Sequence, residues 1–506
     1  MVSGGRRITG WRVRDGVWTA DVGGLDTRQL YVDGRRAERA HIAGLPGEAR
    51  ATGTGYVTGS PEPREWRSPA DVEFVYRGVY PWTEARCGVA GVSADGGSTV
   101  ITMAQPAYGW AGELYNSTWE GQTSHGPGLP TRIENDAAFL REPGTFVLDR
   151  SRPGRHVLLY LPRPGEDPER TPVVAPVLET LLSAAGARDL AFRGLTFADA
   201  TWLRPGRPEG FVHYHGGDYY EGGGVETAVL GEGASVTYPA RSAAIPACVS
   251  FRDVAGVEIE GCRFTRLGAY GLGVSGGDGV TVRGCDLDTL AGGGITVSGG
   301  RDATIEDTWV HHAGLDYSGS PGISVRGVHG CVIASSEVAD VPHCGIVAGP
   351  GTGVRVLRNL VADTMRVLAD GGGVYVSGAA GVLAGRRGAG AGQRRGGRAH
   401  AVQLRALHRL RDRLADGGGQ PGTAGGQHRR AHGGAAAGER RLPGELLGRR
   451  PRRARRPARR RDLRGERDRR RRAGTGRGHG RHPGAGRARA PAPRLADGGV
   501  PEGVTA

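Results

Sequence analysis

Between residues 250 and 380 the chain repeats itself. Five nine-residue segments align, 256–264 (GVEIEGCRF), 279–287 (GVTVRGCDL), 302–310 (DATIEDTWV), 330–338 (GCVIASSEV) and 353–361 (GVRVLRNLV), at steps of 23, 23, 28 and 23 residues. Each is followed by a second short apolar run opening on Gly271, Gly294, Gly322, Gly345 or Gly373. These runs are too short for helices and alternate with period two, so they read as strands. A period of this length, punctuated by glycine, marks a solenoid in which each coil buries its apolar face against the next.

The register of the repeat predicts a parallel β-helix. Its second, fourth and ninth positions are occupied by Val257/Ile259/Phe264, Val280/Val282/Leu287, Ala303/Ile305/Val310, Cys331/Ile333/Val338 and Val354/Val356/Val361, a continuous apolar stack. The seventh position (Cys262, Cys285, Thr308, Ser336, Asn359) is a column of small side chains where the chain turns inward. Cys262 and Cys285 are then stacked neighbours, expected as buried thiols and not a disulfide, because adjacent in-register strands rarely offer the needed dihedral. An earlier copy at 189–197 (DLAFRGLTF) extends the expected helix to residues 176–380. Residues 1–175 alternate in short β-branched runs between Gly and Pro clusters, which predicts a β-rich, sandwich-like module. The expected class is all-β.

Charge is divided unevenly. Residues 1–378 carry 34 Arg against 43 acids, a net of −9, whereas 379–506 carry 33 Arg against 9 acids, a net of +24. From Gly381 onward Ile, Phe, Tyr, Trp, Asn, Met and Cys are all missing, and the segment has no apolar period. Such a tail, 381–506, is expected to be disordered. An Arg-rich nucleic-acid arm would have this charge, but simultaneous loss of several residue types at one point favours translation out of frame, so nucleic acid is not the expected partner. The first residues show no charged-then-apolar pattern and no apolar run reaches membrane-spanning length, so neither a signal peptide nor a membrane span is expected from this reading frame. Localisation is left open, and no cofactor is expected. The six cysteines include no CxxC pair of the kind that holds zinc, and no metal site is expected.

Six stretches, taken in order, resemble glycoside hydrolase family 141: 5–22 (GRRITGWRVRDGVWTADV), 28–40 (RQLYVDGRRAERA), 133–150 (IENDAAFLREPGTFVLDR), 194–202 (GLTFADATW), 312–323 (HAGLDYSGSPGI) and 370–375 (DGGGVY). The resemblance implies a right-handed parallel β-helix of the pectin-lyase-like kind with an inserted β-sandwich module. It also implies action on plant cell-wall polysaccharide, with α-L-fucosidase or xylanase activity and a polysaccharide or oligosaccharide partner. In such relatives the first stretch follows a leader and earlier coils, so the resemblance further implies a shortened N-terminus.

Glycoside hydrolysis uses two carboxyl groups flanking the scissile bond. Asp370 is the first candidate: it is the one acid three residues before a second-run glycine, and Gly371-Gly372-Gly373 behind it would let backbone approach a substrate. An Asp-Gly turn accounts for the same residues. The resemblance implies a partner acid about two coils further on, where the Arg-rich tail stands, so the chain as written is expected to be inactive. The eleventh position (Arg266, Thr289, His312, Asp340, Asp363) forms a polar column. Around the 28-residue coil, Asp316, His312 and His343 are further catalytic candidates, and His311, Tyr317, Tyr375 and Trp202 are candidate sugar contacts, the lengthened turn suggesting a sugar-contacting feature. Two alternatives remain at this level: a Ca²⁺-dependent polysaccharide lyase on the same scaffold, disfavoured by the lack of a dense acidic cluster, and a glycan-binding β-helix without catalysis.

Overall fold

The computed structural model describes residues 1–376 and the backbone of 380–382. Three parallel sheets run along the repeat. The first holds Ala191–Arg193, Glu258–Glu260, Thr281–Arg283, Thr304–Glu306, Val332–Ala334 and Gly351–Leu357. The second stacks Thr196–Ala198, Arg263–Leu267, Asp286–Leu290, Trp309–His311, Glu337–Ala339 and Leu360–Val361, and Val2–Ser3 adds a parallel strand at its edge. The third runs Leu182–Ala185, Ala247–Arg252, Tyr270–Ser275, Ile295–Ser298, Ile323–Arg326, Ile346–Ala348 and Val374–Val376.

Corners between the sheets differ in how freely their length varies. From the first sheet to the second the link is two residues in each coil, as at 261–262, 284–285, 307–308 and 335–336. Its leading residue is left-handed throughout, with φ of 58° at Gly261, 59° at Gly284, 49° at Asp307 and 51° at Ser335. The following position is the inward column of small residues. There Thr308 N donates to Ser336 Oγ at 3.2 Å and Ser336 N to Asn359 Oδ1 at 2.9 Å, so the column satisfies buried backbone groups that no strand reaches. All six cysteines are buried free thiols. From the second sheet to the third, by contrast, the link ranges from 268–269 to 312–322 and 199–246.

The apolar stack fills the coil interior. Val257, Ile259, Phe264, Ile305, Val310, Ile333 and Val338 are each at most 1% exposed. The stack opens at the last described coil, where Val374 and Val376, both on inward columns, are each 48% exposed. The polar eleventh column proves to be a turn column: Arg266, Thr289, His312, Asp340 and Asp363 all sit at φ between 50° and 57°. Asp tolerates that conformation because its short side chain bonds locally, whereas β-branched Thr289 is an outlier there.

The N-terminal module is built from two larger sheets and a small one, with Ala107–Leu114 the one α-helix among the described residues. The strand pairing crosses the boundary expected at residue 175. Phe211–His213, Asp218–Tyr220 and Ala243–Ala244, from the 199–246 excursion, extend the sheet of Glu84–Asp95 and Glu73–Arg77. No helix among the described residues is long and apolar enough to cross a membrane. Apart from the backbone of 381–382, the expected disordered tail 381–506 lies outside the described residues.

Candidate functional site

Successive pairings align Ser183, Ser250, Gly273, Thr296, Ser324, Val347 and Tyr375 in one column of the third sheet. Residues two along from the inward Leu272, Ile295 and Ile323 also point inward, so this intervening column faces outward. Its small hydroxylated members line a cavity of about 420 Å³ whose far wall comes from Gly217, Asp218 and Ile245 of the excursion. That wall is pressed onto the sheet. A Cβ on Gly217 would stand 2.5 Å from the Tyr270 hydroxyl, and Asp218 is ion-paired with Arg326 of the third sheet.

Beyond the Arg326–Asp218 pair, at the Tyr375 end of the column, four of the molecule's titratable groups gather. The Tyr375 ring lies 5.8 Å from the His215 ring. Exposed Asp370, at φ 57°, acts electrostatically on His215, His343 and Tyr375. Its turn is anchored on both sides: Ala369 N donates to Pro81 O of the module at 2.8 Å, and Ala369 O is 3.1 Å from His343 Nε2. Gly371 is required by close approach, because a Cβ there would lie 2.7 Å from Cys344 Sγ and 2.8 Å from His343 Nε2. Burial lowers the His343 pKa, partly offset by the carbonyls of Ala369, Asp370 and Gly319. Burial, then Arg326 and His343, draw His215 down to about 4. Beneath them His213 is fully buried, its Nε2 2.8 Å from Gly216 O, and burial takes it to about 3. At neutral pH the three imidazoles are therefore uncharged, and His215, the partly exposed one, is able to donate or accept a hydrogen bond with a neutral hydroxyl.

Of the candidates named from the sequence, Asp370, His343 and Tyr375 stand together here. Asp316, Tyr317 and Trp202 stand elsewhere. The extra residues of the 28-residue coil dock the module: Asp316 Oδ1 meets Arg36 Nη2 at 2.5 Å, its Oδ2 accepts from Gln29 at 3.0 Å, and Ser318 Oγ donates to Glu84 at 2.8 Å. Burial pushes the Asp316 pKa up, but Arg36, Arg86 and Arg28 outweigh it and hold the group below the usual carboxylate range. Tyr317 is fully buried, its ring 5.0 Å from Trp202 and 4.9 Å from Phe211, so neither aromatic offers a face to the groove. The long turn is lengthened for docking and not for the sugar contact expected of it.

His311 and His312 belong to a different surface, the outer face of the second sheet. His311 Nε2 lies 3.1 Å from Asp286 Oδ1, its Nδ1 lies 2.8 Å from His312 Nδ1, and His312 Nε2 is 4.0 Å from Asp340. Asp286, Asp288 and His311 bring one ligand atom each within 4.8 Å of one another, the one such grouping found among the described residues. Arg263 already bridges the two carboxylates, at 3.6 Å and 2.9 Å, and Thr265 and Thr289 hydroxyls both donate to Asp288. A guanidinium thus already supplies one positive charge between the two carboxylates.

Sequence reasoning missed His215, Asp218 and Arg326. Arg326 carries a readable signal, since it ends the strand Ile323–Arg326 on the outward register. The other two lie in the excursion, whose partners are remote in sequence.

A family model described as right handed beta helix region matches residues 246–384. No curated protein matches. Among solved structures, one titled "Glycoside hydrolase" superposes with a TM-score of 0.59 at 23% identity, covering 74% of this chain and 71% of its own. Another, titled "The complex structure of XylC with xylose", gives a TM-score of 0.32 at 10% identity over 71% of this chain and 51% of its own. The first likeness agrees with the observed architecture, a right-handed parallel β-helix carrying a β-rich module.

Proposed function

We propose that the chain is a carbohydrate-active β-helix protein of the glycoside hydrolase type that binds plant cell-wall polysaccharide along the outer face of the third sheet, as family 141 enzymes of α-L-fucosidase or xylanase type would. The observation that carries this reading is one exposed acid, Asp370, flanked by neutral imidazoles and Tyr375 at the end of an outward column of hydroxylated side chains. Ligand sites pair aromatic surface with a few placed polar groups, and this end of the column offers both. Asp370 is the acid–base carboxyl, and His215 and Tyr375 orient hydroxyls around it, while buried His343 holds the Asp370 turn through Ala369 O. Support comes from the six sequence stretches and from the fold shared with the solved glycoside hydrolase.

Hydrolysis requires a second carboxyl. The other acid acting on His215 is Asp218, and it is held by Arg326. Binding without turnover is therefore the expected behaviour of the chain as written. The test is a panel of xylan, fucosylated xyloglucan and pectin, scored for binding by affinity electrophoresis and for released sugar. Retardation by one glycan, lost in Asp370→Asn without product formation, fits the proposal. Product formed by the unmodified chain and abolished in Asp370→Asn would overturn the inactive part alone, and no retardation by any glycan would overturn the whole.

A further inference from the structure

The junction between the module and the 312–322 turn encloses a second cavity, of about 210 Å³, away from the groove. Arg39, Arg86, Glu134 and Asp316 floor it, and it opens past Glu38 and Arg132. The floor is deeply buried, with Arg39 and Arg86 side chains 8% and 2% exposed, while Glu38 at the mouth is 64% exposed.

Charge in this junction does not balance. Six guanidiniums (Arg28, Arg36, Arg39, Arg77, Arg86, Arg132) face five carboxylates (Glu38, Glu73, Glu84, Glu134, Asp316). The carboxylates nearest Arg39 are already engaged. Arg28 takes both oxygens of Glu73 at 2.5 and 2.9 Å, Arg86 takes one oxygen of Glu134 at 2.9 Å, and Arg132 Nε lies 2.8 Å from the other as an ion-pair contact without an aligned hydrogen bond. Arg39 reaches the same groups only as ion-pair contacts, 3.0 Å to Glu73 and 3.4 Å to Glu134, which leave its Nε and Nη2 without an aligned hydrogen-bond acceptor. Arg36 Nη1 is in the same position, since Nη2 is the atom that meets Asp316. Burial, with Arg28 and Arg86, leaves Arg39 below the ordinary guanidinium value although Glu73 and Glu134 oppose this, whereas Arg28 and Arg86 are raised. Buried guanidinium donors without an aligned acceptor, beside a solvent-open cavity, are groups that an entering anion can satisfy.

We propose that this cavity is an anion site that takes one carboxylate group, its oxygens accepting from Arg36 and Arg39. A surplus of one positive charge suits a monoanion, and the carboxylates in the wall disfavour sulfate or a phosphate dianion. The carboxylate belongs either to a free small acid or to a uronic acid unit of a polysaccharide; the latter source alone rests on the function proposed above.

The experiment is calorimetric titration of the full chain, at fixed sodium chloride, with sodium acetate, sodium glucuronate and glucose. A saturable heat is expected with the anions and none with glucose. Glu38→Gln, which removes a repelling charge at the mouth, should tighten binding about threefold, and Arg132→Gln should weaken it about tenfold. Arg193→Gln, an exposed guanidinium on the first sheet, should change nothing. Acetate and glucuronate binding alike assigns a free small acid, and tighter glucuronate binding assigns a uronic acid; either supports the site. No saturation by either anion, a glucose response equal to that of glucuronate, or an unchanged Glu38→Gln titration would overturn it. Asp370→Asn should leave this titration intact, so failure of the groove and failure of the anion site are read separately.

Discussion

Asp316→Asn separates a docking role from a catalytic one. The substitution keeps size but removes the charge that Arg36 meets at 2.5 Å and that Gln29 meets at 3.0 Å. Breaking a buried pair by neutralising one partner costs about 3–5 kcal/mol. Arg36 and Asp316 side chains are 18% and 12% exposed, so solvent shares the load and the lower end, about 3 kcal/mol, applies. Unfolding entropy of about 2.1 cal/mol/K per residue, over the 376 residues fully described, gives roughly 0.8 kcal/mol per degree. The melting temperature should therefore fall about 4 °C, read by tryptophan fluorescence. The sign against pH follows from the folded carboxyl being held below its free value near 3.9. Its contribution is complete above that pH and is lost as pH falls through the folded value, so wild type and Asp316→Asn should converge in acid. Glycan binding should be preserved at low temperature. An unchanged melt together with abolished glycan binding would refute the docking argument and return Asp316 to the site.

His215 and His213, drawn down to about 4 and 3, are neutral when folded but titrate near 6.5 when unfolded. Stability should thus be full above pH 6.5 and fall as pH drops toward 4, with His215→Gln flattening the slope of melting temperature against pH; a parallel slope in the variant would rule His215 out as the source. Gly371→Ala should displace the Asp370 turn by driving a methyl onto Cys344 Sγ at 2.7 Å, weakening glycan retardation more than it lowers the melt; equal affinity would show that the turn is not part of the site. Ile305→Ala, at 1% exposure, should cost about 2–5 kcal/mol, whereas Val356→Ala, half-buried in the same column at the opened end, should cost well under half of that in urea denaturation. Comparable costs would mean that the end of the stack is better packed than its exposure indicates.

The coil was legible because its physics is local and periodic. Apolar positions at 257, 280, 303 and 331 recur at the coil spacing, and a small residue is needed wherever the first corner turns inward, so both columns could be counted along the sequence. The groove end was partly legible: Asp370 with its glycines and Tyr375 on the strand after it lie within one turn of chain. The excursion was not legible, since Phe211–His213 pairs with residues 85 and 86, more than a hundred positions away, and alternation alone names no partner. Tyr317 and Trp202 misled for a general reason. Aromatic residues are read equally well as sugar platforms or as core, and only burial distinguishes them. The polar eleventh column had a backbone cause, the left-handed turn, which the side-chain pattern alone does not reveal.

The inequality of the three corners has a consequence for how such a molecule acquires a site. The first-to-second corner keeps two residues in each coil and the third-to-first corner keeps five where it spans 276–280 and 299–303, so chain inserted at the second-to-third corner is absorbed without shifting the rungs above or below it. The docking turn 312–322, the turn bearing Asp370 and the excursion bearing His215 all enter at that corner. Rearrangement of function is thereby confined to a single edge of the molecule, and the scaffold can be lengthened, recruited or stripped of activity there without losing its register elsewhere.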